Sequence, residues 1–136
     1  TRDQVGLQGD YSGGVTLGAL TGIEQLVLLN GADGRFGAAP GTELSYVLTA
    51  SDQTVAAGQV LTVQANRLRP GENLTFDGSA ETDGVFLIYG GQGNDVLTGG
   101  AGADGFYFGQ GRFGAGDVLN GGPGGNDQLG LQGDYA

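Results

Sequence analysis

The chain has 136 residues, enough for one domain or one slice of a repeat array and too few for two full-sized domains with a linker. Fifteen acidic residues face five basic ones, all Arg, so the surface field repels nucleic acid and anionic lipid and favours cations. Cys, His, Met and Trp are absent, which excludes disulfides, imidazole or thiolate zinc centres and Cys- or His-based nucleophile pairs, and leaves oxygen as the only hard ligand class.

In chain order, the first element is one half of a repeat. Asp3-Gln-Val-Gly-Leu-Gln-Gly-Asp-Tyr11 returns 124 residues later as Asp127-Gln-Leu-Gly-Leu-Gln-Gly-Asp-Tyr135, with Val replaced by Leu as the single difference. The chain therefore spans about one unit of a tandem array, and Thr1 reads as a boundary inside a longer protein. Short apolar clusters follow, at Val15 to Leu17, Ile23 to Leu29, Tyr46 to Leu48, Leu61 to Val63, Leu74 to Phe76, Phe86 to Ile88, Leu97, Phe106, Leu119 and Leu129 to Leu131. Gly, Asp and Asn separate them at intervals of roughly nine to thirteen residues in the later part, the rhythm of short strands stacked as solenoid coils. Ile23 to Leu29 also reads as a short helix, but one or two coils fit the series better. No apolar run approaches membrane-spanning length and no basic-then-apolar leader opens the chain, so membrane insertion is not expected.

Gly is the commonest residue, and its placement carries the sharpest motif. Gly90-Gly91-Gln92-Gly93-Asn94-Asp95-Val96-Leu97-Thr98 abuts Gly99-Gly100-Ala101-Gly102-Ala103-Asp104-Gly105-Phe106-Tyr107, and both fit G-G-x-G-x-D-x-U-x, where U is a large apolar residue. A flexible linker would not fix an acid and an apolar residue at constant offsets. Nine residues divide into a six-residue turn and a three-residue strand. Gly at the first, second and fourth places is expected to permit positive φ and close backbone packing, Asp supplies a carboxylate, and the apolar residue turns inward. Asn94 and Asn126 read as turn residues that tolerate positive φ.

These two segments resemble the nonapeptide repeats of the RTX (repeats-in-toxin) family. The resemblance implies an all-β fold, a right-handed parallel β-roll or β-helix solenoid with calcium-binding turns, in which Ca2+ sits between turn loops stacked on one edge. It implies loop carbonyls and successive Asp side chains as ligands, here with Gly90, Gly91, Gly93, Gly99, Gly100 and Gly102 shaping the loops. After Phe106 the pattern loosens: Phe113 stands where Asp is needed, Asp117-Val118-Leu119 restores it, and Gly121 to Leu129 carries one extra residue and a Pro.

With loops alternating between two edges, one edge should carry the turns at Asp83, Asp104 and Asp127, the other those at Asp95, Asp117 and Asp134. Asp95 and Asp104 are the first candidate ligands, followed by Asp117 and Asp127, then Asp83 and Asp134. Asp10, Asp77 and Asp83 read equally well as plain turn residues, and Asp3, Asp33 and Asp52 read better that way. Aromatics near successive turns (Phe86, Tyr89, Phe106, Tyr107, Phe108, Phe113) could form a stacking platform for sugar, though core packing explains them more simply. Arg67 and Arg69 read as solvated turn charges.

The domain expectation is a single solenoid unit, residues 1–76 as irregular coils and 77–136 as a calcium roll. The functional expectation is a non-enzymatic module that folds on extracellular calcium, a structural, spacer or adhesin-like unit of a type I-secreted bacterial protein. Its expected partners are calcium, neighbouring repeats of the array and other copies end to end. The alternative is a polysaccharide-binding accessory module of an exported enzyme. Without His or Lys, the carboxylates offer no suggestive acid–base set for catalysis.

Overall fold

The computed structural model describes residues 2–36, 39 and 41–135; Thr1 lies outside this set. Among the described residues there are eleven strands and no helix. The strands are β1 (Gln4–Leu7), β2 (Tyr11–Thr16), β3 (Gln25–Leu28), β4 (Tyr46–Thr49), β5 (Val60–Gln64) and β6 (Leu74–Asp77), then β7 (Val85–Tyr89), β8 (Val96–Thr98), β9 (Gly105–Phe108), β10 (Val118–Asn120) and β11 (Gln128–Leu131). Ile23 to Leu29 supplies one strand, β3, and not a helix.

Successive strands alternate between two sheets, β1-β3-β5-β7-β9-β11 and β2-β4-β6-β8-β10, and every pairing is parallel. The fold is a parallel β-roll, two strands to a coil. Within each strand the side-chain period of two sends alternate residues inward: in β7 Phe86 and Ile88 are buried while Leu87 and Tyr89 face outward.

Register turns those inward residues into columns. One runs Val5, Leu26, Val63, Ile88, Phe106, Leu129 along the six-stranded sheet. The other runs Val15, Leu48, Phe76, Leu97, Leu119 along the five-stranded sheet. Each fully buried member contributes about 1.5–3 kcal/mol from its removal from water. Phe76 and Phe86 meet across the core edge to face, with ring centroids 4.9 Å apart. Both columns pass residue 76 without a break, so residues before and after it share the same two sheets and the same core.

The loops fall on two edges. Loops 17–24, 50–59, 78–84, 99–104 and 121–127 lead from the five-stranded to the six-stranded sheet on the first edge. Loops 8–10, 29–45, 65–73, 90–95 and 109–117 return on the second.

The glycine expectation needs correction. None of Gly90, Gly91, Gly93, Gly99, Gly100 and Gly102 has positive φ, and no described non-glycine residue does, Asn94 and Asn126 included. Glycine is required in the two regular loops because the coils stack too closely for a side chain. A Cβ on Gly100 would sit 2.6 Å from the Glu81 carbonyl oxygen, and one on Gly91 would sit 2.8 Å from the Leu68 Cβ. On Gly93 or Gly102 it would collide with the carbonyls of Glu72 and Gly84. Positive φ appears in the irregular loop around Pro123, at Gly122, Gly124 and Gly125.

Candidate metal centre

The tight stacking that demands glycine also lines up carboxylates. On the second edge, register sets Leu74, Asp95 and Asp117 opposite one another in successive coils. Asp95 is fully buried; one carboxylate oxygen accepts the N–H of Gly91 in its own loop (2.9 Å) and the other the N–H of Leu74 one coil back (2.9 Å). Asp117 repeats the pattern, accepting from Gly114 (2.7 Å) and from the N–H of Asp95 (2.8 Å).

The first edge carries the same ladder. Asp104 is buried, accepting from Gly100 (2.7 Å) and, one coil back, from Phe86 (2.7 Å). Asp127 in turn accepts from the N–H of Asp104 (2.9 Å). All four acids thus staple their loop to the preceding coil, and Asp95, Asp104 and Asp117 also close their own turn.

Burial pushes the Asp95 carboxyl up to about 6, with the negative charge of Asp117 adding to the rise against the lowering by the Leu74 and Gly91 donors. Asp104 is pushed up for the same first reason, burial, with Asp127 and Glu81 as the like charges. These are carboxylates crowded by others of the same sign, a setting that a bound cation relieves.

The residues present fit a hard cation. Donors are all oxygen, and a carboxylate has about four lone-pair sites, so Asp95 and Asp104 keep capacity beyond their two N–H partners. Beside Asp104 is a cradle that a Cβ would fill, where the faces of Gly99, Gly100, Gly122 and Gly125 lie against carbonyls of Gly121, Glu81, Gly100 and Gly102; beside Asp95, the faces of Gly91 and Gly93 lie against carbonyls of Ala65 and Glu72. Asp104 and Asp127 on the first edge, and Asp95 and Asp117 on the second, would each hold an ion with the carbonyls of their own edge. When bound, calcium would supply the positive charge that offsets the crowded carboxylates of successive loops.

Other sequence-derived candidates fall elsewhere. Asp83 is exposed, because the register Leu87 to Gly105 places Phe86, not Asp83, opposite Asp104. It groups instead with Asp52 and Glu81, one carboxylate oxygen of each lying within 4.8 Å of the others. Asp134 is exposed past β11, on the second edge, where its backbone exchanges hydrogen bonds with the Gln110 side chain (2.7 and 3.2 Å).

Two acids that sequence reasoning passed over continue the ladders backward. Glu72 is buried on the second edge and accepts from Gly31 (2.7 Å) and Leu44 (3.1 Å) with one oxygen and from Arg69 N–H (2.9 Å) with the other. The Arg69 guanidinium lies 3.0 Å away as its counter-charge. Glu81, buried on the first edge, accepts from Val55 (3.1 Å) and Gly84 (3.0 Å). Neither sits in a G-G-x-G-x-D frame, and the extra methylene of Glu spans a wider loop; the available signal was an acid just ahead of an inward apolar residue, as in Glu72-Asn-Leu74.

Among the aromatics, Phe86, Phe106 and Phe108 are core residues. Tyr89 and Tyr107 stack on the outer face of the six-stranded sheet with ring centroids 5.2 Å apart. Beside them opens a cleft of about 410 Å³ bordered by Asn66, Gln110, Arg112 and Gln132.

Comparison with known families places the nonapeptides. The family model of the RTX calcium-binding nonapeptide repeat (4 copies) matches residues 87–112, which include Asp95 and Asp104. No curated protein and no solved structure matches the chain. Residues 87–112 are calcium-binding nonapeptide repeats of the RTX type set in a parallel β-roll, and the chain is a calcium-binding repeat module.

Proposed function

We propose that this module is a calcium-folded structural unit, a spacer or adhesin-like segment of a bacterial protein exported by type I secretion, with no catalytic role. The observation that carries the reading is the pair of buried ladder carboxylates, Asp95 and Asp104, whose negative neighbours are other ladder acids. Folding such ladders without a cation opposes like charges across one coil spacing. A cation bound only by the folded state adds about 2.7 kcal/mol per site at a hundredfold excess over Kd. Extracellular calcium modules bind at about 10⁻⁴ to 10⁻³ M, so the roll would stay open in calcium-poor cytosol and close outside the cell.

The two halves divide this dependence. Residues 77–136 hold the ladder aspartates and form the calcium-dependent part. In residues 1–76 the equivalent staple is Glu72, whose charge is met by Arg69, so these coils need less metal.

Circular dichroism and thermal melting across a calcium titration, with chelator as control, test the proposal. Strand signal and melting temperature should rise together with calcium; identical melts in calcium and chelator would overturn it. A second reading, polysaccharide binding, is favoured by the exposed Tyr89–Tyr107 stack beside a cleft bordered by amides and an arginine. A glycan array or alginate pull-down tests it, and a blank result leaves the structural reading alone.

A further inference from the structure

The nine-residue segment that occurs twice is seen with a different neighbour each time. As β1 it pairs with β3 on one side, Val5 opposite Leu26 and Leu7 opposite Leu28. As β11 it pairs with β9 on the other side, Leu129 opposite Phe106 and Leu131 opposite Phe108. Both copies lie in the six-stranded sheet, at its two ends, and both turn the same residues inward.

The two sets of bonds do not compete. Toward β3, the Asp3 carbonyl accepts from Gln25 (3.1 Å) and the Leu7 carbonyl from Leu29 (2.9 Å). Toward β9, the equivalent of Asp3 uses its side chain, Asp127 accepting from Asp104 N–H, and Gln132 N–H donates to the Phe108 carbonyl (2.9 Å). One strand of this sequence can therefore hold both neighbours at once. Burial agrees: Leu129 and Leu131 are 48% and 45% exposed, whereas Leu26 and Leu28, which cover the equivalent Val5 and Leu7, are 1% and 0% exposed.

We propose that the two end coils are the matching halves of one joint, and that the outer edge of β11 receives the β3 strand of a following copy of this chain. The repeated segment is then a shared central strand, and tandem copies form one uninterrupted roll with a period of 124 residues. Each period contributes ten strands, five coils, and at about 4.8 Å per coil lengthens the roll by about 24 Å. The joint rests on strand pairing and apolar contact, independently of the calcium reading.

The test is a two-copy chain in which residues 1–135 run directly into residue 12 of a second copy, so that 127–135 serve as both β11 and β1. A control joins two complete copies through a flexible Gly/Ser linker. In saturating calcium the seamless chain should unfold in one transition with a denaturant slope close to twice that of a single copy, because the slope follows the surface exposed. X-ray scattering should show a rod about 24 Å longer. Leu131→Ser should shift the melting temperature of the seamless chain several times more than that of the single copy, where the side chain is half exposed. A seamless chain with the slope and melting point of one copy, or one that stays unfolded while the linker control folds, would overturn the joint. Failure of the calcium reading looks different: calcium and chelator would then give the same melts for one copy and for two, with the comparison between them unchanged.

Discussion

Replacing Asp95 by Ala would strip the acceptor from two N–H groups, those of Gly91 and Leu74, at a site without exposure to water. An orphaned buried donor costs about 1–3 kcal/mol, so with two of them Asp95→Ala should destabilise the metal-free roll by about 2–6 kcal/mol and remove a calcium ligand besides. Asp83→Ala is the contrast: the residue is exposed, and the loss should stay within about 0.5 kcal/mol. Urea unfolding of both variants checks the ranking, and a larger effect at Asp83 would mean that Asp83, and not Phe86, lies opposite Asp104. The ranking of Asp95 above Asp83 could be read from the nonapeptide spacing, but the reason could not. Asp83 is followed two residues later by Val85, which mimics the D-x-U frame; only the pairing of β7 with β9 reveals that Phe86 and Ile88 take the inward places. Glu72 supplies the residue-scale pH prediction. Burial raises its carboxyl, but the Arg69 guanidinium and the backbone donors of Arg69, Gly31 and Leu44 outweigh that, and its pKa is lowered from 4.5. The folded state then holds this proton less tightly than the unfolded chain, so the staple is complete above about pH 4.5 and fades as the pH falls below it. Melting temperatures in chelator should separate wild type from Glu72→Gln near neutrality and bring them together in acid; a constant gap would sink the assignment.

A loop belongs to two coils at once, which makes the loop elements stiff in a way that composition hides. Thirty-one glycines suggest flexibility, yet in the loops 90–95 and 99–104 glycine marks places where the next backbone leaves no room. Gly100→Ala forces a Cβ to within 2.6 Å of the Glu81 carbonyl oxygen, backbone that cannot step aside without opening the coil spacing, and should cost about 1–3 kcal/mol. Gly111→Ala tests the other kind of requirement, because its φ of 66° is strained for any side chain while nothing lies within 4 Å of the added atom. The penalty there should be about 1–2 kcal/mol and should not depend on calcium, whereas that of Gly100→Ala should grow in calcium, where the loops are held closest. Calcium titrations of the two melting temperatures distinguish them. The strand elements were legible from their apolar beats because an inward residue in each coil cannot be polar without cost. Strand β1 was not, since Gln4-Val-Gly-Leu7 has only two apolar side chains and becomes a strand through its pairing with β3.

For the whole molecule, the two apolar columns and the two acid ladders have different spans. The columns run from Val5 to Leu129 and from Val15 to Leu119, so hydrophobic burial ties every coil to its neighbours whatever the metal. The aspartate ladders begin only at Asp95 and Asp104, and behind them the staples change to glutamates, Glu72 with its arginine on the second edge and Glu81 on the first. Removing calcium therefore withdraws support from one end of a continuous stack, and in a solenoid each coil is stabilised mainly by those next to it. Unfolding in chelator should begin at β10 and β11, whose apolar residues Val118, Leu129 and Leu131 are already 57%, 48% and 45% exposed, and progress toward β7. Hydrogen exchange in chelator should show the Val118 and Gln128 amides, bonded to the Asp95 and Asp104 carbonyls, losing protection first. The Leu44 and Gly31 amides, held by Glu72, should exchange last, and calcium should slow the first group by several-fold more than the second. Uniform loss along the chain would mean that the roll opens as one cooperative unit and that the aspartate ladders stabilise the Glu72 coils as strongly as their own.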